Sequence, residues 1–388
     1  MTEVDYGNLR FSVKRVILHR LVDWAIPAAP SGTPALPVLG CFQVNVASDR
    51  LQLVATDMER TIAASTPAVA ADGEGRVYLP ARRLKAILAE APEGDITVTV
   101  KKDRATVSAS DGGLSKGASW DLQLPSPDAF PVLPDLDARC AAVSREKLLA
   151  ALKTVRHAVC RDSGRPGYTQ VRIGAGRDGA MMAASSDANQ YAWAPVPGFP
   201  QAMAIPGGVL DDLIKVLAAS PVEEAEAGEA GNSLIFRCGP VTLSVLKLSA
   251  PFPDIDRLAL KPARDNQDPL QLAKTELQQA IRRVRINADP STSAIALVLS
   301  GSSLVVAARD DNGNTATESV PVIWGGGDRV LAVSWHYLYN LLDAHPGDTC
   351  TFMLGKDIGR RQSMVLLEDE QSGVTGVISQ VPLSMVGY

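Results

Sequence analysis

The sequence predicts an α+β protein made of one unit used three times. Three observations carry that reading. A hairpin pattern recurs in "LQLVATDMERTI" (51–62), "AMMAASSDANQYAWA" (180–194) and "SLVVAARDDNGNTATES" (303–319): an apolar run, an Asp corner, then an alternating run. The corners, Asp57, Asp187 and Asp311, stand 130 and 124 residues apart. Each third of the chain also holds two segments with apolar residues at helical spacing, and 388 residues suit two or three domains of roughly 100–200 residues each.

The opening helix of each third is read from its stripe. In 11–25 the stripe is Val13, Val16, Ile17, Leu21 and Trp24; in 144–159 it is Leu148, Leu152, Val155 and Val159; in 273–288 it is Leu277, Ala280, Ile281 and Val284. Ser12 and Ser144 are expected to cap the first two. A second helix follows in each third, at 80–91, 206–220 and 334–345. Pro80 and Pro206 suit a first turn, where the missing N–H has no partner to lose. Alternating runs such as "ITVTVKKDRATVSAS" and "NSLIFRCGPVTLSVLKLS" read as antiparallel strands. "EEAEAGEAG" (223–231) reads as an exposed acidic loop. "DAFPVLPDL" (128–136) and "APFPDIDRL" (250–258) each place Phe-Pro at the start of an extended linker, which puts the domains at 1–138, 139–262 and 263–388.

Composition narrows the function. The first ten residues are polar and acidic, unlike a signal peptide, and no apolar run reaches the roughly 20 residues of a membrane helix. Five scattered cysteines without a Cys-x-x-Cys point to reduced thiols in a cytoplasmic protein, with neither a disulfide framework nor a zinc site. Net charge is −5, but the charges are segregated. Segments 13–25, 80–91, 144–161, 206–220, 273–288 and 334–345 together carry +9, leaving −14 for the rest. Arg15, Arg82, Arg83, Lys153, Arg161, Arg282 and Arg283 fall off the apolar stripes. On one helix that is an ordinary solvated face. Across the chain it describes a basic helical layer suited to a phosphate backbone, which is bound without regard to sequence.

"PALPVLGCFQVNVASDRLQLVATDMERTI" (34–62) resembles the signature of the bacterial β sliding clamp, the processivity subunit of the replicative DNA polymerase. "LPARRLKAILAEAPEGD", the two Phe-Pro linkers and the last strand with Pro382 fit as well, so the resemblance spans nearly the whole chain. It implies three clamp domains per chain, closing as a head-to-tail homodimer ring with helices inward. Twelve helices about 9 Å apart would leave a hole on the order of 25 Å, enough for duplex DNA and water. It implies a non-catalytic factor without cofactor or metal. Its partners would be double-stranded DNA, polymerase subunits and a clamp loader, the proteins docking through short linear peptides.

Carried over residue by residue, the implied peptide pocket comprises Tyr168; Ser186, Ala188, Asn189, Gln190 and Tyr191; Pro253, Arg257 and Leu258; Thr292, Ser334, Tyr337 and Met364; and Gln380, Val381, Pro382 and Leu383. Arg161 and Arg165 join the implied DNA contacts, and Trp120, Leu122 and Ile286 the dimer contacts. The family's Gly-His-Arg-Leu is here Ala188-Asn189-Gln190-Tyr191, and its Met-Pro ending is Val381-Pro382 with Val386-Gly387-Tyr388 added. Gly207 and Gly208 replace two basic positions. These departures suggest a paralogue with an altered pocket, serving a specialised polymerase or resisting an agent that fills the usual one.

Other motifs carry less. "GAGRDG" (174–179) satisfies Gly-x-Gly-x-x-Gly but leads into a strand, with no helix N-terminus for a phosphate. A hydrolase built on Asp57, Asp187 and Asp311 would need them together, whereas the repeat spreads them one per domain and makes them turn residues. The four histidines show no ligand spacing.

Overall fold

A computed structural model describes residues 8–32, 34, 36–67, 69–110, 117–126, 130–176, 179–266, 268–355 and 364–387. The chain packs as two compact units, residues 1–145 with 211–247 and residues 146–210 with 248–388. The middle third of the sequence is thus shared between them.

Six main helices occupy the expected places: α1 (Arg15–Ala25), α2 (Ala81–Glu90), α3 (Arg145–Val155), α4 (Leu210–Ala219), α5 (Lys274–Val284) and α6 (Trp335–Ala344). The stripe of α5 holds throughout, with Leu277, Ala280, Ile281 and Val284 all buried. That of α1 is differently phased. Residues Asn8–Lys14 form a strand, so Val13 belongs to a sheet, Val16 is 72% exposed, and the buried face is Leu18, Leu21, Val22, Trp24 and Ala25. Ser12 accordingly caps nothing; its hydroxyl lies 3.1 Å from that of Thr97 on the neighbouring strand. The helix begins where pairing with Asp95–Lys101 ends, and Arg15 N donates to Gly94 O.

In the first unit a five-stranded sheet runs Ala70–Asp72, Asn8–Lys14, Asp95–Lys101, Arg104–Ser110, Ala118–Gln123. An eight-stranded sheet joins Cys140–Ser144, Glu224–Ala230, Ser233–Cys238 and Val241–Leu246 to Arg60–Thr66, Leu51–Thr56, Cys41–Val46 and Gly75–Pro80. In the second unit the nine-stranded sheet has the same plan, with Gln190–Pro195 pairing with Val374–Ser379 as Arg60–Thr66 pairs with Val241–Leu246. The fourth sheet runs Thr315–Pro321, Ser303–Arg309, Ala294–Ser300, Arg329–Ser334. Within it α5 packs against α6 and Thr315–Pro321.

Two linear readings need correction. The stretch expected as an acidic loop is a strand, Glu224–Ala230, with Ala225 and Ala227 buried between exposed glutamates. Its Gly228 lets Cys140–Ser144 approach, since a Cβ there would lie 2.8 Å from Arg139 O. The second Phe-Pro segment is extended only briefly; a π-helical turn, Asp256–Leu260, continues into Lys261–Arg264. The Gly-x-Gly-x-x-Gly segment connects strands Gln170–Ala175 and Met181–Ser186, as read.

The repeated corner is the same device twice over. Asp57 Oδ1 accepts from the backbone N–H of Glu59 (3.1 Å) and Arg60 (2.8 Å), and Thr56 Oγ1 accepts from Met58 N (3.1 Å). Asp187 Oδ1 accepts from Asn189 N and Gln190 N, both at 2.9 Å, and Ser186 Oγ accepts from Ala188 N at 2.8 Å. Met58 (φ 76°) and Ala188 (φ 78°) take the same left-handed conformation. In the third hairpin the corner residue is Asp310, not Asp311: its Oδ1 accepts from Asn312 N (3.0 Å) and Asn314 N (2.8 Å). That turn is one residue longer, and Gly313 supplies the positive φ.

Candidate nucleic-acid interface and partner cleft

The expected phosphate contacts divide by what already holds them. Arg15 Nη1 donates to Leu88 O at 2.9 Å, tying α1 to α2, and Arg82 Nη2 donates to Pro30 O at 3.3 Å. Arg283 pairs with Glu318 at 2.6 Å, and Arg165 lies 3.7 Å from Asp162. Arg282 Nε donates to the Tyr339 hydroxyl at 2.8 Å, a neutral partner that leaves its charge uncompensated. Arg83, Lys153 and Arg161 make no ion pair among the described residues. Lys153 and Arg161 line an open cleft of about 470 Å³ with Arg156, His157, Asn340 and Asp343, between α3 and α6. In the other unit Arg15, His19, Arg20 and Lys215 line a second cleft of about 330 Å³ around Asp23. A side chain at Gly207 would force its surroundings to move, since a Cβ there would sit 2.6 Å from Val159 Cγ1 and 3.0 Å from Thr169 O.

The residues expected to form the peptide pocket fall into three groups, all within the second unit. Tyr191 and Tyr168 join Trp193, Phe252 and Ile255 in one apolar cluster. Tyr191 is 5% exposed, its hydroxyl donates to Ala188 O at 2.7 Å, and burial pushes that phenol up to about 12. It stacks 6.3 Å from Trp193, whose Nε1 donates to Asp256 at 2.8 Å. Pro253 is half-buried next to Phe252 in sequence, while Arg257 and Leu258 are exposed on the helical linker. The second group surrounds the corner. Gln190 Nε2 donates to Asp187 Oδ2 (2.9 Å) and His157 O (3.0 Å), and Tyr337 bonds Asn189 and Asp187. Ser379 N donates to Asn189 O at 2.8 Å, bringing the last strand to the hairpin. Ser334 precedes α6 and Thr292 Oγ1 accepts from Ala294 N.

Third, Val381 packs with Val386, Ala294, Ala296 and Ala332, so the added C-terminal turn is anchored on the fourth sheet. Gln380 leads into it, and Pro382 and Leu383 remain exposed. Met364 begins a strand, but its side chain lies outside the described residues. Trp193 and Phe252 were absent from the expected set; their signal is alternation with Tyr191 on one strand and the Phe-Pro before the helical turn.

Of the dimer candidates, Trp120 and Leu122 lie on Ala118–Gln123, one of the two edge strands of the five-stranded sheet among the described residues, and Leu122 is buried. Ile286 is 80% exposed just past α5. Asp57 lies in one unit, Asp187 and Asp311 in the other, and the first two carboxylates are spent on their turns. Among the described residues no helix is long and apolar enough to cross a membrane.

The comparisons with known proteins bear on these features. Residues 9–134 match the family described as DNA polymerase III beta subunit, N-terminal domain. The chain is 25% identical to the β sliding clamp homolog GriR of Streptomyces muensis, over 80% of this chain and 81% of that one. It is 22% identical to the β sliding clamp of Salmonella typhimurium, over 94% and 97%. In fold it resembles the β sliding clamp of C. crescentus, with a TM-score of 0.88, 19% identity and coverage of 97% and 100%. The sliding clamp of Bartonella birtlesii, solved bound to griselimycin, gives a TM-score of 0.87 at 18% identity, over 97% and 100%.

Proposed function

We infer that this chain is a divergent member of the bacterial β sliding clamp family, and that it acts as a non-catalytic DNA sliding clamp, tethering a polymerase to its template. The likeness to clamps along almost the whole chain carries this reading.

The sheet plan supports a head-to-tail homodimer of three domains per chain. The second strand of one hairpin pairs with the closing strand of the next third: Arg60–Thr66 with Val241–Leu246, and Gln190–Pro195 with Val374–Ser379. By the same rule Thr315–Pro321, an open edge, takes Ala118–Gln123 of a second copy, itself an open edge. Trp120 and Leu122 would lie on that seam with Ile286 beside it, and like units would use like interfaces. A ring so formed holds duplex DNA by topology, with Arg83, Lys153 and Arg161 as the cations freest for passing phosphates and a separate loader to open it. The protein would work in the cytoplasm. Retention on nicked circular duplex that is lost on linearisation tests the function; equal retention on linear DNA would overturn it. A solution mass of one chain at high concentration would overturn the ring.

A second reading, a paralogue with a changed partner cleft, is favoured by Tyr191. Its ring fills the space between the sheet and the helical linker, next to the positions expected to seat a peptide. Griselimycin and standard clamp-binding peptides are therefore expected to bind weakly here. Ordinary affinity in a titration would overturn this reading while leaving the first intact.

A further inference from the structure

We propose that the C-terminal end of α5 and the N-terminal end of α6 form a stacking site for the bases of single-stranded DNA, distinct from the encirclement of duplex. Two arginine–aromatic pairs lie side by side there. Arg285 Cζ is 4.7 Å from the Trp335 ring centroid, and Arg282 Cζ is 5.4 Å from that of Tyr339. The His336 ring extends the first pair, stacked on Trp335 with centroids 3.4 Å apart and planes 27° apart. Arg282 in the last turn of α5 and Arg285 in the short 3-10 turn that follows it are three residues apart, and Trp335 and Tyr339 are four apart on α6, so the pairs lie side by side as adjacent rungs.

The charges are what make these rungs unusual. The intervening Arg283 is compensated by Glu318 at 2.6 Å. Arg282 and Arg285 face aromatic groups instead, and neither makes an ion pair among the described residues. The only carboxylate in the sequence of α6, Asp343, lies a turn beyond Tyr339, in the cleft with Lys153 and Arg161. His336, Arg282 and Arg285 are exposed and the Trp335 and Tyr339 rings half-exposed. The Arg285 guanidinium over Trp335, with His336 stacked on the same ring, offers π-faces that any unstacked base can extend, while Arg282, held at the Tyr339 hydroxyl, supplies charge for the phosphates. A duplex keeps its base faces covered and can use only the charges, so the site distinguishes single strands from duplex.

The test is fluorescence anisotropy of a labelled oligo-dT of about ten nucleotides, too short to require encirclement, with the full-length protein at low salt. Binding is expected, with Trp335→Ala and Arg285→Ala each weakening it about fivefold or more, as loss of one base-stacking contact would. Arg283→Ala is expected to change it by less than about twofold, since its charge is already compensated. A duplex of equal length should compete poorly. Unchanged binding by Trp335→Ala, or equal competition by duplex, overturns the proposal. Should Trp335→Ala misfold in a thermal melt, His336→Ala replaces it: its ring is exposed, weaker binding supports the site, and unchanged binding in both it and Arg285→Ala overturns it. Retention of wild type on circular duplex is scored separately, so failure of the clamp reading and failure of this one remain distinguishable.

Discussion

The corners at Asp57 and Asp187 share a backbone and differ in what crosses it. At the first, Arg60 reaches from the far strand to Asp57 (2.9 Å) and on to Asp212 of α4 (2.7 Å), a cation held by two carboxylates. At the second, Gln190 reaches from the same position to Asp187 and then to a backbone carbonyl, His157 O, and its Oε1 has no partner among the described residues. One repeat therefore uses charge to fasten a hairpin to a helix, and the other does so with a neutral amide. The neutral one stands among the residues expected to seat a partner peptide.

The comparison can be broken most forcefully at Arg60. Arg60→Ala leaves two half-buried carboxylates facing each other and is expected to lower stability by about 3 kcal/mol, toward the low end for breaking a buried pair. Urea unfolding measures it, and a loss near zero would mean the tie is ornamental. Tyr191→Leu comes next. It should cost about 1–2 kcal/mol of packing while raising affinity for a clamp-binding peptide about tenfold, read by calorimetric titration. If affinity does not rise, Tyr191 is not what closes the cleft.

Gln190→Arg installs the first corner's chemistry in the second. With one carboxylate and no counterpart of Asp212, the new charge should be only partly compensated, costing about 1 kcal/mol. A gain in stability would show that the two sites are interchangeable.

The smallest effect is in pH, and its sign differs between the corners. Burial pushes the Asp212 carboxyl above its ordinary 3.8, with Arg60 pulling the other way. The fold thus prefers it protonated, and this contribution declines as pH rises from 3.8 through the raised value. Burial holds the His157 imidazole below its ordinary 6.5, against its bond to Thr154 O and the nearby Asp187 and Asp343. The fold prefers that ring neutral, so its contribution is complete above 6.5 and declines as pH falls toward the depressed value. Melting temperatures against pH should flatten selectively in Asp212→Asn at the acid end, above pH 3.8, and in His157→Gln below pH 6.5.

Most of the architecture was legible because periodicity and turn chemistry are local. The α5 stripe and the Asp corners of the first two hairpins needed no knowledge of distant residues. The errors arise where local cues compete. With aspartates adjacent at 310 and 311, the repeat spacing points to Asp311, whereas the longer turn takes Asp310 as its corner. In Glu224–Ala230 alanine and glutamate disfavour a strand individually, and only their alternation marks the buried face. The functional surface was less legible still. A helical wheel can place Arg15 off the stripe, but it cannot see Leu88 O, 73 residues away, accepting its guanidinium. Nor could sequence tell that Tyr191 turns inward, since this depends on Tyr168, Trp193 and a helical turn that follows Phe252-Pro253.

The sharing of the middle third between two units restricts how the chain can be cut. Ending it before residue 263 would strip Val374–Ser379 from Gln190–Pro195 and lay bare a strand that now lies inside a sheet. Starting it after 138 would do the same to Val241–Leu246. Shortened versions would therefore be inclined to aggregate through those raw edges, so no single repeat can be cut away without unpairing a strand in what remains.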